Sequence, residues 1–153
     1  MEFELPKPEF PALSFPSVAF QWQTESDKLR IWDSFRKKWI VLTPEEWVRQ
    51  HLLHYLASQG YPAACMQVER MVTYNGLRKR FDVLIRNRQG NPWLLVECKA
   101  PQIAISQAEV YQIATYNNIL NAPFLCLTNG IDTYLARVND QDITALVDWP
   151  KYK

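Results

Sequence analysis

Asn75 and Gly76 sit between two runs in which apolar and polar residues alternate, 65–74 ("CMQVERMVTY") and 77–87 ("LRKRFDVLIRN"). No other feature narrows the possible folds of this chain as much. A two-residue Asn-Gly loop needs a left-handed backbone at both positions, which these residues tolerate and which matches the twist of an antiparallel pair. The spacing predicts a β-hairpin. A second turn, "RQGNP", leads into "WLLVECKA", whose run Trp93 to Val96 is apolar without alternation. A strand with no polar face is buried on both sides, so this third strand is expected at the centre of the sheet.

Helices are expected on either side of that meander. In "LTPEEWVRQHLLHYLASQG" the period changes to the helical one. Thr43 is the expected N-cap, Pro44 takes the first position, Glu46 completes a capping box, and Gly60 ends the helix. At about 100° per residue, Trp47, Val48, His51, Leu52, Tyr55 and Leu56 share one face. Glu45 falls at its edge, and Glu46 is expected to point away with capping as its role. A second helix runs from about Ser106 to Leu120, with Ser106 as N-cap and Glu109 closing another box. "PFLCLTNG" and "DTYLARV" are two further strands.

The order is therefore α-β-β-β-α-β-β. This predicts an α/β chain, an α+β sandwich with a central mixed sheet of about five strands flanked by helices. Residues 41–153 are expected to form a single globular unit. Residues 1–40 are read as a proline-rich arm (Pro6, Pro8, Pro11, Pro16). Its aromatic residues Phe3, Phe10, Phe15 and Phe20 would pack onto the domain or a partner. A hairpin formed by 20–23 and 29–32 around "TESDK" is expected within it.

A length of 153 residues suits one sizeable core. The net charge of +1 does not mark a nucleic-acid binder. The basic residues are clustered, however, at Arg36 to Lys38 and at Arg78 to Arg80, with Arg86 and Arg88 close behind. Cys65, Cys98 and Cys126 are odd in number, lack metal-ligand spacing and lie among apolar residues, so buried free thiols are expected. His51 and His54 have no further His or paired Cys to complete a zinc site. Glu2 and Glu4 occupy the region where a signal peptide needs positive charge, and no apolar run reaches membrane-spanning length. A cytoplasmic location is expected.

Two carboxylates break the apolar pattern: Asp82 inside the second strand of the meander and Glu97 at the end of the third. Adjacent antiparallel strands can bring such side chains onto one face. Two close carboxylates repel unless a cation sits between them, and hard oxygen ligands suit Mg²⁺ or Mn²⁺. Lys99, two residues after Glu97, projects to the same face and can stabilise charge developing on a phosphate. The Cys98 carbonyl is a further candidate ligand, with its thiol turned into the core.

This combination resembles the PD-(D/E)xK nuclease superfamily, with Asp82 as the motif aspartate and "ECK" (Glu97, Lys99) as the ExK element. "QIATY" is similar to the QxxxY pattern of the RecB-like branch, through Gln112 and Tyr116. More narrowly, "IWDSFRKKWIVLTPEEWVRQ", "FDVLI" and "LLVECKAP", spanning residues 29 to about 140, resemble the N-terminal nuclease-domain family of type I restriction enzyme R subunits. Two departures stand out. No GxxxxGK[ST] phosphate loop occurs in the sequence, and Phe81 stands where the motif name has proline.

The resemblance implies a restriction-endonuclease-like core and a metal-dependent nuclease-like protein that hydrolyses DNA phosphodiester bonds without the translocase. Asp82, Glu97, the Cys98 carbonyl and Glu45, with Glu46 as the alternative acid, would hold the metal. Lys99, Gln112 and Tyr116 complete the implied catalytic set. Arg78, Lys79, Arg80 and Arg86 would contact the DNA backbone. The implied partners are DNA and other restriction or repair subunits supplying translocation or specificity. No membrane is implied, and a homodimer remains open. The alternative is a non-catalytic nucleic-acid-binding or interaction module of a defence or repair assembly, and a surface ion-pair cluster is a third.

Overall fold

A computed structural model describes residues 10–140 and 142–153, except for the side chains of Tyr74 and Leu77. Three short strands come first: β1 (Trp22–Glu25), β2 (Lys28–Asp33) and β3 (Lys38–Val41), in an antiparallel sheet of order β1-β2-β3. The β1–β2 loop has positive φ at both Ser26 (51°) and Asp27 (62°), as a primed two-residue hairpin turn requires. The hairpin around "TESDK" is thus present. β3 was not anticipated. Its turn is built by Asp33, whose carboxylate accepts the N–H groups of Phe35 at 2.7 Å and Arg36 at 3.0 Å.

Helix α1 (Pro44–Ser58) follows, with Thr43 Oγ1 accepting the Glu46 N–H at 3.1 Å. At its C-terminus the Tyr61 N–H reaches back to the Leu56 carbonyl at 3.0 Å, across Gly60 at φ 96°. A short 3-10 turn (Ala63–Cys65) leads into β4 (Met66–Tyr74), β5 (Leu77–Arg86) and β6 (Pro92–Cys98). Helix α2 (Gln107–Asn117), β7 (Phe124–Thr128), β8 (Thr133–Asn139) and β9 (Asp142–Leu146) complete the chain. The α2 capping box from Ser106 and Glu109 is formed.

The main sheet has the order β4-β5-β6-β7-β8-β9. It is mixed, because α2 carries the chain from β6 to a parallel β7 while the other pairs are antiparallel. The apolar third strand of the meander, β6, lies between β5 and β7, as its unbroken apolar run requires. The sheet has six strands where about five were expected, β9 being the addition.

The helices cover opposite faces. Val48, Leu52, Leu53 and Leu56 of α1 pack with Val83, Ile85, Leu94, Val96 and Cys98. Val110 and Ile113 of α2 pack with Phe81, Leu95, Leu125 and Leu127. Residues 10–20 run across α1: Trp47 Nε1 donates to the Pro11 carbonyl at 2.9 Å, and Phe10 and Phe20 rest against the Trp47 ring. The first part of the proline-rich arm, with Phe3, Pro6 and Pro8, lies outside the described residues.

Candidate functional site

Along β6 the side chains alternate strictly. Leu94, Val96 and Cys98 enter the α1 side of the core, while Leu95 enters the α2 side. Glu97 and Lys99 continue the α2 side and line one pocket there, with Gln112 and Tyr116 of α2 as its opposite wall. The i, i+4 spacing puts those two α2 residues one above the other. The Lys99 N–H donates to the Thr128 carbonyl at 2.8 Å, so β6–β7 register holds up to the charged end. The Cys98 thiol is buried in the core, as expected.

Strand β5 is less regular. Phe81 packs on the α2 side, but Val83 and Ile85 pack on the α1 side, so the alternation breaks at Asp82. On the neighbouring β4, Glu69 has φ 56°. The β5–β6 ladder runs from Val83, paired with Val96. At Asp82 the side chain takes over: its Oδ2 accepts the Cys98 N–H at 2.7 Å. In an extended strand a residue's N–H and C=O point the same way, so the Cys98 carbonyl faces Asp82 too.

Asp82 and Glu97 are thereby brought together. Burial, the Asp82 charge and a hydrogen bond to the Asp82 carboxyl push the Glu97 carboxyl up to about 8. The charges of Lys79 and Lys99 oppose that rise. The Glu45 carboxyl is raised by burial and by Asp82, against the pull of Arg49 and Lys99, so Glu45 belongs to the same electrostatic cluster.

A buried arginine sits behind the pair. Arg49 Nη2 donates to Glu45 at 2.8 Å and to Asp82 Oδ1 at 3.1 Å, and its Nη1 donates to Glu46 at 2.7 Å. Glu46 also accepts from Arg36 at 2.7 Å, and Arg36 reaches Glu69 at 3.1 Å and Asp33. This corrects the expectation for Glu46. Its carboxylate is buried in an ion-pair network rather than turned away, because Arg36 on the β2–β3 turn provides a partner that no local pattern announces. Arg49 and Glu69 were not singled out from the sequence, and Arg36 enters there only as part of a basic cluster. Glu45 and Arg49 at i, i+4 in "EEWVR" were a legible signal. The pairing of Arg36 with Glu46 was not.

The basic residues divide. Lys79 is half-buried in the pocket wall, with its Nζ 4.4 Å from the Tyr116 ring centroid. Arg78 is exposed, and Arg80 is an exposed ion-pair partner of Glu69. Arg86 lies at the far end of β5, donating to Gln67 at 3.1 Å and to the Gly90 carbonyl at 2.9 Å. It is not brought to the pocket.

Two carboxyls brought side by side, with the Asp82 charge helping to push Glu97 towards its protonated form, are a donor set suited to a hard divalent cation. Among the described residues, no three His, Cys, Asp or Glu side chains converge as a metal site. A cation would therefore rest on this pair, a backbone carbonyl, water and substrate oxygens, a pattern that Mg²⁺ accepts.

Residues 44–150 match the family model described as Type I restriction enzyme R protein N terminus (HSDR_N). No curated protein sequence matches the chain. Among solved structures, a DUF820 protein from Anabaena variabilis ATCC 29413 is similar at a TM-score of 0.44 and 15% identity, over 82% of this chain and 80% of that one. Among the described residues, no helix is long and apolar enough to cross a membrane.

Proposed function

The chain belongs to the type I restriction enzyme R protein N-terminus family, and on that premise we propose that it is a divalent-metal-dependent nuclease domain acting on DNA phosphodiester bonds. The observation that carries this reading is the Asp82–Glu97 carboxyl pair at the mouth of the central strand, with Lys99 beside it. Such a pair holds either a shared proton or a cation. Asp82, Glu97 and the Cys98 carbonyl would hold Mg²⁺ or Mn²⁺, with Glu45 reaching it through water. When bound, the ion supplies Lewis-acid activation of the phosphodiester and of the attacking water.

The remaining roles belong to the chain itself. Lys99 orients the water and offsets charge developing on the phosphate oxygens. The Gln112 amide and the Tyr116 hydroxyl steady the phosphate, or the Lys99 ammonium, from α2. Arg78 and Arg80 contact the backbone of longer DNA without reading its sequence. Arg86 does so only where the duplex extends along β5. Glu97 must release its proton before a cation can bind, so metal uptake near neutral pH liberates protons. Translocation and sequence choice would come from partner subunits of a restriction assembly.

One observation favours a second reading. Arg49 already offers a cation to Asp82 and Glu45. If it neutralises the cluster permanently, the domain binds DNA without cutting it. The test is cleavage of supercoiled plasmid and single-stranded DNA with Mg²⁺ or Mn²⁺. Cleavage lost in Asp82→Ala and Lys99→Ala is the expected result. Salt-sensitive DNA binding without cleavage under either metal would leave the second reading.

A further inference from the structure

Strand β5 carries three consecutive basic residues, Arg78, Lys79 and Arg80, and strand geometry does not leave them equivalent. Phe81 packs on the α2 side of the sheet, and so does Val72, the cross-strand partner of Lys79. Lys79, two residues before Phe81, takes the same face, while Arg78 and Arg80 take the other. Lys79 is accordingly half-buried in the wall of the pocket that holds Glu97 and Lys99, whereas both arginines are exposed.

We propose that Lys79 is a phosphate-holding residue of the reaction pocket rather than one more contact to the DNA backbone. Its ammonium, braced over the Tyr116 ring, takes a non-bridging oxygen of the phosphate entering between β5, β6 and α2. This deepens the function proposed above and rests on it for the identity of the substrate.

Three observations support the assignment. The Lys79 ammonium lies 4.4 Å from the Tyr116 ring centroid, a cation–π distance that limits its wandering. Gln112 and Tyr116 add an amide and a hydroxyl to the same pocket, and both can donate to an anion. The pocket also brings a second lysine, Lys99, to the space that Lys79 borders, while the Glu109 carboxylate in its wall is engaged by the Ser106 N–H at 3.0 Å as part of the α2 cap.

The test uses the full chain and inorganic phosphate as probe, first without metal. Phosphate affinity is measured by calorimetric titration for the wild type, Lys79→Met, Lys79→Arg and Arg78→Ala. The expected result is at least about a tenfold loss of affinity in Lys79→Met, for one charge-assisted contact. Lys79→Arg, which keeps the charge and the ring contact, retains most of the binding. Arg78→Ala, on the other face, shifts affinity by less than about twofold, because an exposed charge is screened. In cleavage assays Lys79→Met lowers kcat by about a hundredfold with little change in KM for DNA. Far-ultraviolet circular dichroism confirms that each variant is folded.

Wild-type protein that takes up no phosphate, or a Lys79→Met variant indistinguishable from Arg78→Ala, overturns the assignment. So does failure of Lys79→Arg to restore binding to a folded protein. Lys79-dependent phosphate binding with no cleavage under Mg²⁺ or Mn²⁺ leaves the assignment standing and overturns the nuclease function instead.

Discussion

The guanidinium of Arg49 donates to Asp82 Oδ1 at 3.1 Å, across 33 residues of sequence, and the same Nη2 holds Glu45 at 2.8 Å. One helix side chain thereby fixes an acid at the helix edge and an acid on β5. Its other amino group rests on Glu46, which Arg36 secures from the N-terminal sheet. The family match begins at residue 44, so Arg36 lies outside the matched segment.

Removing this charge leaves several acids without their buried partner. Arg49→Met is expected to destabilise the fold by about 3–5 kcal/mol, the usual cost of breaking a buried ion pair from one side. Arg49→Lys, which keeps the charge but loses the fork, should cost less. Urea denaturation followed by fluorescence measures both. Equal stabilities of Arg49→Met and the wild type would show that the network carries no net energy.

The link to the N-terminal sheet is tested separately. Arg36 and Glu46 meet at 2.7 Å, with Arg36 side-chain exposure at 13% and Glu46 at 8%. A double-mutant cycle of Arg36→Met and Glu46→Gln should give a coupling energy of about 0.5–3 kcal/mol. A value near zero would mean that the two residues are neighbours without energetic dependence.

The Glu97 carboxyl gives stability a pH dependence. Its folded-state value, raised from the ordinary 4.5 to about 8, means that the folded protein keeps a proton the unfolded chain has released within that window. The contribution is therefore fully present below about 4.5 and is lost as pH rises towards 8. Melting temperatures from pH 5 to 9 should fall accordingly, and Glu97→Gln should flatten the curve. Saturating Mn²⁺ should flatten it as well, since a cation replaces the proton. An unchanged slope in Glu97→Gln would assign the titration to another group.

Leu95 is fully buried on the α2 side of the central strand, two residues before Glu97. Leu95→Ala should cost about 2–5 kcal/mol, the range for emptying a packed core position. The same assay of unfolding in urea reports it. A cost below about 1 kcal/mol would mean that the surrounding side chains collapse into the space.

Much of the fold was legible because its signals are local. The Asn75-Gly76 turn, the alternation beside it and the apolar run of β6 lie within short windows, and each element they predict is present. The caps at Thr43 and Ser106 are equally local. The shared face of Glu97 and Lys99 follows from a period of two, and that of Gln112 and Tyr116 from a helical turn. Strands β3 (Lys38–Val41) and β9 (Asp142–Leu146) escaped notice because they are short and partly polar. Such segments become strands through the neighbour they pair with, not through a pattern of their own.

The sequence by itself determined the order of the central elements and which residues could share a face, because backbone periodicity and turn stereochemistry act over a few residues. It did not determine what Asp82 and Glu46 would face. The break in alternation at Asp82, its bond to the Cys98 N–H and the Arg36–Glu46–Arg49 chain behind it arise where β2, α1, β5 and β6 meet. Only the tertiary structure decided these, because a buried carboxylate goes to the cation that packing brings within reach, at whatever distance along the chain that cation lies.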